Sequence, residues 1–143
     1  MLVALSVLPS RRANHMKTID ASVLLDLLTR PASMAQHKDI LNDDLIAPDH
    51  VIAEVQNALK RMYVTKHISR ARANEAANDF ANIAINFVSL HALQRDMWAM
   101  VGNVSPYDAA YLCVARLSNT PLLTRDSRLA RSAPSDITVT VLK

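Results

Sequence analysis

The chain is short of the residues that would commit it to several familiar chemistries. It has one cysteine, Cys113, so it can form no internal disulfide and no thiolate cluster for zinc; a reducing, cytoplasmic setting is the expectation. Cys113 lies in the apolar run YLCVARL and reads as a small buried hydrophobe, not a nucleophile. Aromatic residues make up 4% of the chain, too few for reading single-stranded bases by stacking. The five histidines lack the paired spacing of zinc ligands, and His50 and His91 read as helix-start or surface residues. No apolar run suits a membrane span. The opening MLVALSVLP is too short, and Arg11 and Arg12 follow it where a secretory signal would have its basic residues in front.

What is present describes a globular chain. Half of the residues are apolar and a fifth are charged, and 143 residues suffice for one domain burying about two thirds of its unfolded surface. The net charge of +3 is too small to assign a nucleic-acid partner by itself. Its placement says more: Arg116, Arg125, Arg128 and Arg131 crowd the C-terminal third, where they either steer a polyanion or form a solvated basic face. Met16 opens the strand-like MKTI, so residues 1 to 15 read as an N-terminal extension, from an alternative or non-native start, before a domain over 16–143.

Past Met16, short apolar strands alternate with helical patterns, with no linker, repeat or low-complexity tract. Thr18-Ile19 reads as a strand, and Ser22 to Thr29 as a helix stopped by Pro31. A polar helix is expected near His37 to Asp44, and a strand at Leu45 to Ala47. Asp49 is expected to cap a helix whose stripe is Val51, Val55, Leu59 and Met62. Ser69 suits the cap of the next helix, NFVS (86–89) a strand, and Leu90 to Val101 a helix with Gly102 just past its end. Ser105-Pro106 opens a helix through Leu117, PLLT (121–124) is a strand, Ser127 to Arg131 a helical turn, and Ile137 to Leu142 the last strand. This order predicts an α/β domain: a doubly wound, mainly parallel sheet flanked by helices, with ligands beyond the carboxyl ends of the strands.

Four acids stand beside strongly apolar segments: Asp20 in TIDAS, Glu54 in VIAEVQNAL, Asp108 in SPYDAAYL and Asp126 in LLTRDSRLA. Asp20 and Asp126 directly follow strands, which places them at the ligand-binding rim. Each also has a structural alternative: Asp20 and Asp126 as helix caps, Asp108 as a first-turn acid, Glu54 in a surface pair with Arg61 or Lys60. If all four converge, repulsion decides. Two carboxylates about 5 Å apart repel by roughly 3 kcal/mol at an effective dielectric near 20, so a hard divalent cation would be needed to keep them charged.

IDAS at 19–22, the Glu54 helix with its NAL, SPYDAAYLCVA and LLTRDSRLA together resemble the successive acidic motifs of PIN-domain ribonucleases, most closely the VapC toxins of toxin–antitoxin pairs. The likeness covers nearly all of 17–142, and the order and approximate spacing of the four motifs match; residues 1 to 15 are not part of the pattern. It implies a PIN-like fold in which Asp20, Glu54, Asp108 and Asp126 hold Mg²⁺ or Mn²⁺. Ser22 and Thr124 match the family's hydroxyl positions, with helix capping and strand-end satisfaction as their alternative roles. The implied reaction is RNA cleavage by metal-activated water, leaving a 5′-phosphate and a 3′-hydroxyl. The implied partners are RNA, a VapB-like antitoxin and a second copy of the chain; apolar helices over 51–62 and 69–84 are candidates for such contacts, though packing within the monomer explains most of their apolar residues. Two other readings stand beside this one. A receiver or haloacid-type phosphatase wants acids near the first strand that are missing here, Ser22 standing where the phosphatase has its second aspartate. The other is an RNA-processing nuclease without an antitoxin, which an isolated gene would favour, or a non-catalytic RNA-binding or scaffold domain, which would tolerate loss of individual acids.

Overall fold

The computed structural model describes residues 15–143. The expected extension therefore lies outside the described residues, apart from His15. Five strands form one sheet in the order β3-β2-β1-β4-β5: β1 (Met16–Ile19), β2 (Asp44–Pro48), β3 (Ile85–Val88), β4 (Leu122–Thr124) and β5 (Val139–Val141). Every pairing is parallel, and Thr18 at the centre registers with Ile46 on one side and Leu122 on the other. A parallel sheet covered on both faces needs strands that are apolar throughout, and Leu45, Ile46, Ala47, Leu122 and Leu123 are all buried. The edge strands β3 and β5 are more exposed, as one-sided neighbours require.

The helices are α1 (Ala21–Thr29), α2 (Val51–Val64), α3 (Arg70–Ala81), α4 (Leu90–Met100), α5 (Pro106–Ser118) and α6 (Ser127–Ser132). Side-chain caps start most of them: Asp20, Ser69, Ser89, Ser105 and Asp126 each accept a backbone N–H from the first turn. The helix α5 is buried from Ala109 through Ala115, so it passes through the core instead of lying on it. Its small residues Ala109 and Ala110 admit close packing, while Leu112 joins Ile19, Leu24 and Leu122 in the core. Each such large side chain contributes about 1.5–3 kcal/mol through burial.

Several local expectations need correction. The segment after α1 is a 3₁₀ helix over Pro31–Asn42, opened by Pro31 and finished before Asp44, which already belongs to β2. Asp49 does not cap α2. Position 50 precedes that helix without a side-chain cap, and the Asp49 carboxylate accepts the Leu90 N–H at 3.3 Å, tying β2's end to the start of α4. Gly102 follows α4 as expected, without a positive φ; left-handed residues instead end α2 at Lys66, φ 63°, and α5 at Asn119, φ 53°. Ser89 leaves β3 to cap α4, and the last strand shortens to Val139–Val141. No helix among the described residues is long and apolar enough to cross a membrane.

A candidate acidic site at the topological switch

The chain adds β2 and β3 on one side of β1, then returns to the other side for β4 and β5. A crevice opens where the order reverses, outside the carboxyl ends of β1 and β4. Asp20 follows β1 and Thr124 ends β4, so the switch brings residues about a hundred positions apart into contact.

Asp20 is 7% exposed and its carboxylate is fully engaged. One oxygen accepts from Ser22 Oγ at 2.5 Å and from the Val23 N–H at 3.2 Å; the other accepts from Thr124 Oγ1. Burial raises its pKa above the usual carboxylate value, and these donors oppose the rise without cancelling it. The two hydroxyls also extend outward: Ser22 Oγ accepts the Arg125 N–H and Thr124 Oγ1 accepts the Asp126 N–H, both at 3.0 Å. A short network thus links Asp20 to the backbone that presents Asp126.

Glu54 enters from α2. Its Oε1 accepts from the Tyr111 hydroxyl at 2.8 Å and lies 2.8 Å from His50 Nε2. The imidazole approaches out of line, however, and neither ring nitrogen of His50 makes a well-formed hydrogen bond. We read the pair as a close electrostatic contact. Partial burial would raise the Glu54 pKa, but His50 and Tyr111 outweigh it and hold the carboxyl below its usual value. No pairing of Glu54 with Arg61 or Lys60 forms among the described residues. His50 is not a surface residue either; its side chain is 11% exposed and its ring stands 4.9 Å from that of Tyr111 and 6.1 Å from that of Tyr107.

Asp108 sits in the first turn of α5, where its backbone N–H donates to Ser105 Oγ at 3.2 Å. Burial raises its carboxyl pKa and repulsion from Asp126 and Glu54 adds to the rise, opposed first by Ser105 and less by Arg128. Asp126 is held below its usual value chiefly by Arg128, whose guanidinium lies 3.2 Å away. Tyr111, one turn beyond Asp108, keeps its proton: burial and the charges of Glu54 and Asp20 push its pKa far upward. Asp108 is therefore within electrostatic reach of Asp126 and Glu54, and Tyr111 within reach of Glu54 and Asp20.

The four acids are not gathered tightly enough to hold an ion as they stand. Among the described residues, no three His, Cys, Asp or Glu side chains form a metal-holding group. Three of the four acids have other partners: Asp20 has Ser22 and Thr124, Glu54 has Tyr111 and His50, and Asp126 has Arg128. The donor set itself fits a hard divalent cation, since it is all oxygen and its mutual repulsion, felt most at Asp108, is what a cation relieves.

Elsewhere the sequence expectations divide. Cys113 is buried and its thiol is pushed up to about 11, mainly by burial, which removes it as a nucleophile. The arginine group is less available than its clustering suggests: Arg116 pairs with Asp136 at 2.7 Å, Arg125 with Asp26 at 2.8 Å, and Arg128 with Asp126. Sequence reasoning missed His50 and Tyr111. Both stood at helical spacing from chosen acids, four residues before Glu54 and three after Asp108, and that spacing was the signal to use.

Comparison with known proteins agrees with the fold. Residues 17–133 match the model of the PIN domain. The chain is 31% identical over 119 residues to ribonuclease VapC3 of Mycobacterium tuberculosis, covering 82% of this chain and 87% of that protein. It is 32% identical over 115 residues to ribonuclease VapC1 of the same species, covering 78% and 86%. Among solved structures, PAE2754 from Pyrobaculum aerophilum superposes with a TM-score of 0.60 at 22% identity, covering 87% of this chain and 88% of that one. VapBC2 from Rickettsia felis, bound to a DNA fragment from its promoter, gives a TM-score of 0.60 at 12% identity, covering 88% and 98%.

Proposed function

The chain belongs to the PIN-domain family, alongside VapC ribonucleases, and from that premise we propose that it is an endoribonuclease acting as the toxin of a toxin–antitoxin pair. Asp20, Glu54, Asp108 and Asp126 are the residues that would hold a divalent metal ion, Mg²⁺ or Mn²⁺. When bound, such an ion supplies a Lewis acid for the scissile phosphate and lowers the pKa of the attacking water. The carrying observation is the charge balance at the crevice: Asp108 is disfavoured as an anion by burial and by Asp126 and Glu54, while burial disfavours the Asp20 anion too. Ser22 and Thr124 fix the direction of the Asp20 carboxylate, and Tyr111 fixes that of Glu54. Arg128 pairs with Asp126 and would compete with a cation for that carboxylate. The protein's contribution is to hold acids and hydroxyls in place before the substrate binds.

The partners follow from the same reading: an RNA substrate, a VapB-like antitoxin and a second copy of the chain, in the cytoplasm, with residues 1 to 15 lying before the catalytic domain. The Rickettsia felis neighbour is a VapBC complex on promoter DNA, which supports an antitoxin partner here. The test is cleavage of total RNA by purified protein in Mg²⁺ or Mn²⁺. Activity should vanish with chelator and in Asp20→Ala and Asp108→Ala; equal cleavage by wild type and both variants overturns the site. Expression of the chain alone should arrest growth, and co-expression of a short upstream open reading frame should relieve it.

A further inference from the structure

Two cavities meet at Arg61. The smaller, about 250 Å³, is lined at one end by Ser22 and Glu54 and at the other by Asn57 and Arg61. The larger, about 460 Å³, continues from Arg61 past Thr65 and His67 to Thr29 and Arg30. We read the two, which share Arg61 and are both lined by residues of α1 and α2, as one groove that starts at Glu54 and leads away from it. Glu54 and Arg61 are seven residues apart on one helix, so the groove runs about 10 Å along α2 before it reaches its first cation.

The cations in this groove differ from the other arginines near the site. Arg116, Arg125 and Arg128 each lie within 3.2 Å of a carboxylate. Arg61 has no carboxylate partner among the described residues; Glu54, which stands two turns away, is occupied by Tyr111 and His50. Arg30 stands 3.9 Å from Asp26, a carboxylate already held by Arg125 at 2.8 Å. Two weakly compensated arginines thus line one cavity, and the neighbouring cavity, which shares Arg61, is lined by Glu54 and Ser22. A guanidinium lining a groove without a carboxylate of its own is suited to a phosphate oxygen.

We propose that the α1–α2 groove is the track for the RNA backbone on one side of the scissile bond, with Arg61 and Arg30 binding its phosphates. This rests on the ribonuclease reading. The acids hold the scissile phosphate's end of the track, where a cation must mediate the approach; the arginines hold the flanking phosphates directly. The arrangement explains how a site lined with carboxylates retains a polyanion, and it demands no reading of bases.

The test uses the full chain and a fluorescein-labelled single-stranded RNA of mixed sequence. Binding is measured in chelator across a salt series, and KM and kcat in Mn²⁺, for wild type, Arg61→Ala, Arg30→Ala, Arg61→Lys and, as a control on α4, Arg95→Ala. The expected result is a rise of about tenfold in Kd and KM for each alanine variant of the groove, with kcat unchanged. The salt slope should fall by about 0.7 per arginine removed. Arg61→Lys should keep the slope and recover part of the affinity, Arg95→Ala should match wild type, and Mn²⁺ affinity should be the same in all. If wild type cleaves and the groove variants match it in KM and slope, the track is overturned. If wild type binds RNA through the groove but cleaves nothing, the track stands and the nuclease reading falls. If the variants leave RNA kinetics intact yet weaken inhibition by the antitoxin, the groove is a protein-docking site and the inference is wrong.

Discussion

Buried carboxylates such as Asp20 survive only with donors on every lone pair that matters, and here Ser22, Val23 and Thr124 supply them. That explains how one residue serves as helix cap and candidate ligand together: its Val23 bond is a cap, its Thr124 bond spans the switch between two strands. The cap expected from the sequence is therefore no rival to a functional role for the same side chain. Glu54 is different: His50, one turn earlier, lies close to it, but its well-formed hydrogen bond comes from a tyrosine on another helix. In Tyr111→Phe the ring still packs, at 2% exposure, but Glu54 loses its donor. Stability should fall by about 1 kcal/mol in urea denaturation. Mn²⁺ affinity, followed by titration, should fall at least about tenfold, as removal of a ligand's outer partner commonly causes. Unchanged affinity would reduce Tyr111 to a packing residue.

Among the elements, those with strong local signals were legible. Ser69 and Ser105 cap where expected because a hydroxyl before an apolar-periodic run has one favourable use. The failures share a cause: the competing partner was distant in sequence. Asp49 had a helix beginning next to it, yet its carboxylate serves the start of α4, forty-one residues on. Gly102 stands just past α4 as expected, while α5 ends on a left-handed Asn119, the usual non-glycine substitute for that conformation, which the sequence reading did not single out. The helix α5 carries Asp108 and Tyr111, so its end matters to the site. Asn119→Ala should cost about 1 kcal/mol, since alanine bears the left-handed penalty in full, while Asn119→Gly should be close to neutral. Thermal or urea melts of both variants decide this; equal losses would show that the Asn119 side chain, not its backbone, is what α5 requires.

At the scale of the whole molecule, the alternation of strands and helices was enough to anticipate a parallel sheet and to put Asp20 and Asp126 at its rim. Strand order was not legible, because nothing in an apolar run of three or four residues names its neighbour; only the fold places β4 beside β1 and so Thr124 against Asp20. That placement has a thermodynamic cost that should be visible in pH. The pKa values of Asp20 and Asp108 are raised on folding, so their stabilising contribution is fully present below the unfolded value of 3.8 and is lost as pH rises through the folded values. Glu54 and Asp126 are lowered and act oppositely, stabilising above the unfolded values of 4.5 and 3.8 and losing that contribution as pH falls through the folded values. Replacing Asp20 by Asn removes one raised group. In chelator, Asp20→Asn should melt above wild type at neutral pH, and the gap should close as pH falls towards about 4, near the unfolded value. Saturating Mn²⁺ should reverse the order at neutral pH: wild type gains about 2.7 kcal/mol when the ion stands about a hundredfold above its dissociation constant, and the variant gains much less. Melting curves across pH, with and without Mn²⁺, test both halves. Parallel wild-type and variant curves in chelator would mean that the buried Asp20 carboxylate carries no penalty, and the case for a cation at the switch would lose its electrostatic ground.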